Sequence, residues 1–120
     1  MLRRLTLYRL ASAVELITGV ALVLSPNLAI EALFQAQANG AEPQLTQLYG
    51  LALIALGATC WKQPCPHQAQ RGMAIYNNLA GIFLLSLILK GLCTGLVVWT
   101  ATVLHLSLGL VMIKDQQQKD

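Results

Sequence analysis

The sequence predicts an all-α integral membrane protein, an antiparallel up-down-up-down four-helix bundle with a short interfacial helix after the first span. Three observations lead to this prediction: four long apolar segments, few charged residues, and positive charges gathered at one set of segment ends. Each segment has about 17–21 residues, which as a helix crosses a hydrocarbon core of ~30 Å. The segments lie at residues 5–25, 45–61, 73–89 and 96–113.

The composition supports a membrane location and a single domain. Hydrophobic residues make up 56% of the chain and charged residues 11%, whereas a soluble domain has about 25% charged residues. The four segments fill most of the 120 residues, so we expect one domain over 1–120 with no linker. The formal net charge of +3 does not indicate a nucleic-acid partner, because the Lys and Arg residues flank the segments instead of clustering on one face.

The positions of the eight Lys and Arg residues predict the orientation. Lys90 lies at one set of segment ends, and the other seven lie at the opposite set, which includes both termini. Positive residues are enriched on the cytoplasmic side of membrane proteins. We therefore expect both termini in the cytoplasm and the loop 26–44, which has no Lys or Arg, outside. The seven residues are Arg3, Arg4, Arg9, Lys62, Arg71, Lys114 and Lys119.

Short connections predict the order of the helices. Pro26 ends the first helix, because proline blocks the continuation of a helix. Residues 28–34 are too short to span, and their apolar face favours a helix at the membrane interface; a disordered loop is the alternative. Residues 63–68 and 91–95 are tight links, so successive helices are expected to be antiparallel neighbours. The polar tail, residues 115–120, is expected to fray.

Small residues at helical spacing predict which faces pack together. Ala11 and Gly19 lie four residues before and after Glu15, and similar stripes contain Asn78 in the third segment and His105 in the fourth. Helices in lipid associate through close backbone approach at small residues and through interhelical hydrogen bonds. We therefore expect these stripes, with their polar residues, to face the bundle interior.

Four polar residues within the apolar segments form the candidate binding site: Glu15, Asn77, Asn78 and His105. An ionised carboxylate at this depth is costly unless it is paired, so an intramembrane Glu is itself a functional hypothesis. Two interpretations stay open. The residues line a pocket for a lipid headgroup, a quinone or a proton, or they form a hydrogen-bonded clasp that fixes helix register. In both, we expect the Glu15 carboxyl within hydrogen-bonding reach of His105, Asn77, Asn78 or a water molecule or ligand held among them.

No catalytic or metal site is expected. His67 and His105 lie at different depths, which excludes a bis-histidine haem within one subunit; ligation of a cofactor by His105 alone or across a subunit interface is the alternative. Cys60, Cys65 and His67 offer three ligands, whereas a structural zinc site needs four. Because the cytoplasm keeps thiols reduced, we expect no disulfide, and Cys93 falls on the side opposite the other two cysteines.

Aromatic residues lie near the predicted segment ends. An aromatic belt of Tyr and Trp at both interfaces is typical of membrane proteins. We therefore assign these residues to a belt and not to a ligand cage. They are Tyr8, Tyr49, Trp61 and Trp99.

The order of these features is familiar. The first helix ends in Ser25-Pro26, the amphipathic stretch ends in Leu33-Phe34, and residues 47–53 open the second span. Over most of the chain this order resembles the small bacterial four-helix membrane proteins of the DoxX-like group. The resemblance implies a bacterial inner membrane, cytoplasmic or photosynthetic. Some relatives are membrane subunits of quinone-linked oxidoreductases, which implies a neighbourhood and no catalytic residue.

These observations favour a non-catalytic membrane protein that is an accessory or structural subunit of a larger membrane complex. A chain of this kind offers a large helical perimeter and almost no extramembrane domain, so its expected partners are the lipid bilayer and other membrane subunits. The alternative is a small redox- or lipid-associated protein with a quinone or lipid pocket around Glu15 and His105. No cofactor is expected beyond such a bound lipid or quinone.

Overall fold

The computed structural model describes residues 2–119, and these residues form an all-α fold of five helices without a strand. Helices α1, α4 and α5 are long and apolar enough to cross a membrane by length and composition. The expected short helix after the first segment is present as α2, so the disordered-loop alternative is wrong. The helices are α1 (Leu2–Leu24), α2 (Pro26–Phe34), α3 (Glu42–Trp61), α4 (His67–Leu89) and α5 (Leu96–Gln117).

Helix α3 contains the second predicted span, residues 45–61, but differs from the other long helices. It is 20 residues long and is not among the three helices with the length and hydropathy of a membrane span. Its first two turns carry Glu42, Gln44 and Gln47, which lower its mean hydropathy. The four predicted spans therefore correspond to three helices that meet this criterion and a fourth that is more polar at its start.

Helices α1 and α3 pack as a close antiparallel pair along their glycines. A Cβ atom on Gly19 would lie 2.6 Å from the Gly50 carbonyl oxygen, and one on Gly57 would lie 2.9 Å from the Ser12 carbonyl oxygen. Only glycine leaves room for such backbone approach. The Ser12 hydroxyl donates a hydrogen bond to the Gly57 carbonyl across the same interface. The predicted stripe of small residues in the first segment therefore faces another helix.

Helices α4 and α5 form the second antiparallel pair. A Cβ atom on Gly81 would lie 2.7 Å from the Leu106 side chain, and Gly109 packs directly against the Asn78 amide. The two pairs meet in a hydrophobic cluster near the end of the molecule that carries both termini. Its buried members are Tyr8, Ala11, Cys60, Cys65, Met73, Ala74, Leu108 and Met112.

The C-terminal tail is ordered, so the expectation that it frays is wrong for the described residues; Asp120 lies outside them. Helix α5 continues to Gln117. Arg4 donates its Nε–H to Asp115 Oδ1 over 2.7 Å, and Gln116 donates to the Gln70 carbonyl over 3.0 Å. These partners lie on α1 and α4, far away in the sequence, so a polar tail read alone gives no sign of them.

Tyr8 belongs to this same network and not to an aromatic belt. Its side chain has no exposed surface. Its hydroxyl donates to Asp115 over 3.3 Å and accepts a hydrogen bond from Gln116 over 3.3 Å. The belt assignment is therefore wrong for Tyr8. A tyrosine near a helix end can also be buried when an acidic side chain and an amide side chain hydrogen-bond its hydroxyl, as Asp115 and Gln116 do here.

The cysteines differ from the expectation in one respect. Cys60 and Cys65 form a disulfide, with their Cα atoms 4.7 Å apart, so the expectation of no disulfide is wrong. Cys65 follows Gln63-Pro64 in the link after α3, and this link turns back toward the last turn of that helix. Cys93 is the free cysteine of the described residues and lies in the opposite link, before α5.

We predict that Gly19→Ala destabilises the protein, because the added methyl group meets the backbone of α3. Overpacking of this kind typically costs about 1–3 kcal/mol. Gly72→Ala is the matched control, since a Cβ atom there meets nothing within 4 Å. Gly72→Ala should leave the free energy of unfolding unchanged or raise it by up to about 1 kcal/mol, the helix-propensity gain of alanine. Denaturant unfolding in detergent micelles measures both, and equal stabilities for the two variants would contradict the close approach.

Candidate functional site

Glu15 lies on the inward face of α1, as the stripe of small residues predicts. Its side chain has no exposed surface, and neither does that of Ala11, one turn before it. On the opposite face of the same helix, Ile17 is 71% exposed. Glu15 is therefore buried because this face of α1 packs on the neighbouring helices.

The Glu15 carboxyl has no hydrogen-bond partner among residues 2–119, although both of its oxygens are buried. Asn77 lies close enough to interact with the carboxyl, but the contact does not meet the distance and angle of a hydrogen bond. The predicted direct bond to His105, Asn77 or Asn78 is therefore not formed. A water molecule or ligand remains as the predicted partner, since a buried polar group without a partner is rare and costly.

Asn77 and His105 hydrogen-bond each other between α4 and α5. The His105 Nδ1 atom lies 2.9 Å from Asn77 Oδ1, and Asn77 Nδ2 donates to the Met73 carbonyl over 2.9 Å. Because the Asn77 amide nitrogen is used on the Met73 carbonyl, its oxygen accepts and His105 Nδ1 carries the hydrogen. In the neutral imidazole this leaves Nε2 as an acceptor.

Asn78 does not join this pair. Its Nδ2 atom donates to the Ala74 carbonyl over 2.7 Å, and its amide packs against Gly109 of α5. It therefore serves the α4–α5 contact. The sequence placed both neighbouring asparagines in one candidate site, and it carries no signal that separates their two roles.

Two tyrosines complete the polar surroundings of Glu15. The Tyr49 and Tyr76 hydroxyls hydrogen-bond each other between α3 and α4. The Tyr76 ring packs edge-on against His105, with 5.6 Å between centroids and an interplanar angle of 88°. Both tyrosines lie within electrostatic range of Glu15. We call the five residues Glu15, Tyr49, Tyr76, Asn77 and His105 the polar centre.

Sequence reasoning missed the tyrosines of the polar centre. Tyr49 was assigned to an aromatic belt, with which its 46% exposure agrees, but its pairing with Tyr76 was not predicted, and Tyr76 was not singled out. Two features of the sequence could have pointed to Tyr76. It is next to Asn77, and it lies one helical turn into the apolar segment 73–89. The antiparallel arrangement of α3 and α4 is needed before the two hydroxyls can be paired.

The polar centre has the chemistry of a binding or proton-holding site. The carboxyl of Glu15 and Nε2 of His105 can each make a hydrogen bond to a polar group. The described residues contain no group of three or more His, Cys, Asp or Glu side chains able to hold a metal ion. The two cavities described lie elsewhere, one of about 1180 Å³ between the chain ends and one of about 480 Å³ on the outer face of α5.

Comparisons of the chain with protein-family models, with curated proteins and with solved structures find no match. The polar centre is therefore interpreted from its own geometry.

We predict that Asn77 and His105 are energetically coupled. A double-mutant cycle with Asn77→Ala and His105→Ala should give a coupling free energy of about 0.6 kcal/mol and at most about 1.7 kcal/mol, the average and the maximum for interhelical hydrogen bonds in membrane proteins. The matched cycle with Asn78→Ala and His105→Ala should give a value near zero, because Asn78 bonds to the Ala74 carbonyl. Unfolding in detergent micelles provides the four free energies of each cycle. Equal coupling in both cycles would contradict the assigned partners.

Proposed function

We propose that the chain is an integral membrane protein and a non-catalytic accessory or structural subunit of a larger membrane complex. In this proposal the four long helices form an up-down-up-down bundle, and α2 lies at the membrane interface. The observation that carries it is the distribution of polarity, which is apolar outside and polar inside.

Large apolar side chains are exposed on the outer faces of the long helices. Ile17 of α1 is 71% exposed, Ile82 of α4 57%, and Leu110 of α5 57%. Glu15 and Asn77, by contrast, have no exposed surface. A soluble monomer rarely exposes an apolar surface of this extent, whereas lipid and neighbouring helices accommodate it.

The charge distribution supports cytoplasmic termini. The seven Lys and Arg residues that the sequence places at one set of helix ends lie at the end that carries both termini. Arg4 pairs there with Asp115, and the Arg9 guanidinium lies 5.1 Å from the centre of the Trp61 ring. The positive-inside bias then assigns this end to the cytoplasm. The membrane proposed is a bacterial inner membrane, cytoplasmic or photosynthetic, in keeping with the DoxX-like resemblance.

The Cys60–Cys65 disulfide argues for the opposite orientation. It lies at the same end as the seven positive residues, and disulfides persist mainly in oxidising compartments. We give the charge bias more weight, because seven residues agree on a cytoplasmic position for this end. The bridge, by contrast, is a single contact between cysteines five positions apart.

The shape of the chain supports a role as a subunit. The links after α3 and α4 span only residues 62–66 and 90–95. These two links offer little surface outside the membrane, and the exposed apolar faces of the helices are contact surfaces. Other membrane helices and lipids are the partners that such faces fit.

The second candidate is a small redox- or lipid-associated protein that binds a quinone or a lipid at the polar centre. One observation favours it, the buried Glu15 carboxyl without a hydrogen-bond partner among the described residues. A hydroxyl group placed between the two side chains would donate to His105 Nε2 and accept from a protonated Glu15 carboxyl, whereas a quinone carbonyl would accept from that carboxyl alone.

Native mass spectrometry of the protein gently extracted from its own membrane tests both candidates. The first predicts a larger membrane protein bound at fixed stoichiometry. The second predicts a bound quinone or lipid that Glu15→Gln removes while the protein stays folded. Monomers that carry neither a partner nor a ligand would contradict both candidates.

We predict opposite labelling of two engineered cysteines in intact cells, in a background with the three native cysteines replaced by serine. A cysteine at Gln37, in the loop between α2 and α3, should react with a membrane-impermeant maleimide. A cysteine at Gln117, at the end of α5, should react only after the cells are permeabilised. Both positions are exposed, so burial does not account for a difference. The reverse pattern would overturn the proposed orientation.

A further inference from the structure

The largest cavity described lies between the two chain ends, away from the polar centre. It has a volume of about 1180 Å³ and is bounded by the start of α1, the end of α5 and the link after α3. We call it the terminal cavity. Its polar lining residues include Arg3, Arg4, Gln70, Lys114, Asp115 and Lys119.

The terminal cavity carries an excess of positive charge. Four cationic side chains and one carboxylate line it, which gives a net charge of +3. The carboxylate counted in this sum is that of Asp115, which is paired with Arg4 at 2.7 Å and with Lys119 at 3.8 Å. Arg3 and Lys114 are exposed, and Arg4 uses its Nε atom on Asp115, which leaves its terminal nitrogens as donors.

Apolar side chains form another part of the same lining. Leu5 and Leu7 of α1 and Val111 of α5 border the cavity. A free phosphate ion would use the cationic part alone. A molecule with both an anionic group and a hydrocarbon part uses the cationic and the apolar lining together. The volume also exceeds what a single phosphate group fills, since cavities of about 300–1,000 Å³ hold drug-sized ligands.

We propose that the terminal cavity binds the phosphate-bearing headgroup of an anionic membrane lipid. The phosphate lies among Arg3, Arg4 and Lys114, and the first carbons of the acyl chains lie against Leu5, Leu7 and Val111. Basic pockets between membrane helices on the cytoplasmic side bind such headgroups. This inference rests on the proposed membrane location, because only a bilayer supplies the lipid at this end of the helices.

The test uses two charge-matched double variants. Arg3→Gln with Lys114→Gln removes two positive charges from the cavity. Lys62→Gln with Arg71→Gln removes two exposed positive charges from the same end of the molecule, at positions that do not line the cavity. Native mass spectrometry of the full chain in micelles measures binding of phosphatidylglycerol, with phosphatidylcholine as the neutral lipid. Far-UV circular dichroism and size-exclusion chromatography establish that each variant is folded.

The cavity variant should bind phosphatidylglycerol at least about tenfold more weakly than the unchanged protein, since each basic residue near a lipid headgroup contributes about fivefold to affinity. The control variant should change binding less than about threefold. Equal losses in both variants, or equal affinity of the unchanged protein for the two lipids, would overturn the proposal. Competition by millimolar inorganic phosphate that abolishes lipid binding would assign the site to free phosphate and overturn the lipid assignment.

A second measurement covers the case in which the cavity variant does not fold. The unchanged protein, reconstituted with a photoactivatable phosphatidylglycerol, should be cross-linked near the start of α1 and the end of α5. Cross-links confined to other helices would contradict the site while leaving the membrane proposal intact. A protein that fails to enter liposomes would contradict the membrane proposal itself, and with it this inference.

Discussion

The outer faces of the long helices are apolar, so the polar side chains of the apolar segments must be accommodated between helices. This constraint explains the close contacts of the fold. Gly19 and Gly50 bring the backbones of α1 and α3 together, and this contact holds Glu15 on the buried side of α1. On the other pair, Asn77 and His105 satisfy each other across α4 and α5. The polar centre is thus a consequence of how the two antiparallel pairs are joined.

The polar centre differs from the hydrogen-bonded network at the chain ends in how completely its polar groups are satisfied. That network consists of Arg4, Tyr8, Asp115 and Gln116. At the chain ends, the Asp115 carboxylate has Arg4 and Tyr8 as partners. In the polar centre, the Glu15 carboxyl has no hydrogen-bond partner among residues 2–119. A satisfied network stabilises one arrangement of helices, whereas an unsatisfied buried group is the place where a ligand, a water molecule or a proton gains most. The pairing of Asp115 therefore holds α1 and α5 together, whereas in the polar centre the Glu15 carboxyl is the group that a ligand would satisfy.

The sequence predicted the all-α class, the short helix after the first segment and the inward stripe that contains Glu15, because these follow from hydrophobic length and helical spacing. It did not predict the order of the tail after Ile113, since the partners of Asp115 and Gln116 come from other helices. It did not distinguish the role of Asn77 from that of Asn78. Neighbouring residues point to different sides of a helix, and packing against the other helices decides what each side contacts. The Cys60–Cys65 bridge was missed for a related reason. The expectation of free thiols rests on the redox compartment, whereas the bridge depends on a link that returns one cysteine to the last turn of α3.

A membrane location requires that the outer faces of the long helices contact lipid. Nitroxide labels at Ile17, Ile82 and Leu110, with a label at Gln37 as the control outside the long helices, test it most directly after reconstitution into liposomes. Collision rates with oxygen, which concentrates in lipid, and with a water-soluble nickel chelate are measured at each position by electron paramagnetic resonance. A membrane location predicts high oxygen and low nickel accessibility at the three helix positions, and the reverse at Gln37. High nickel accessibility at the three helix positions would show that these faces contact water and would overturn the membrane location.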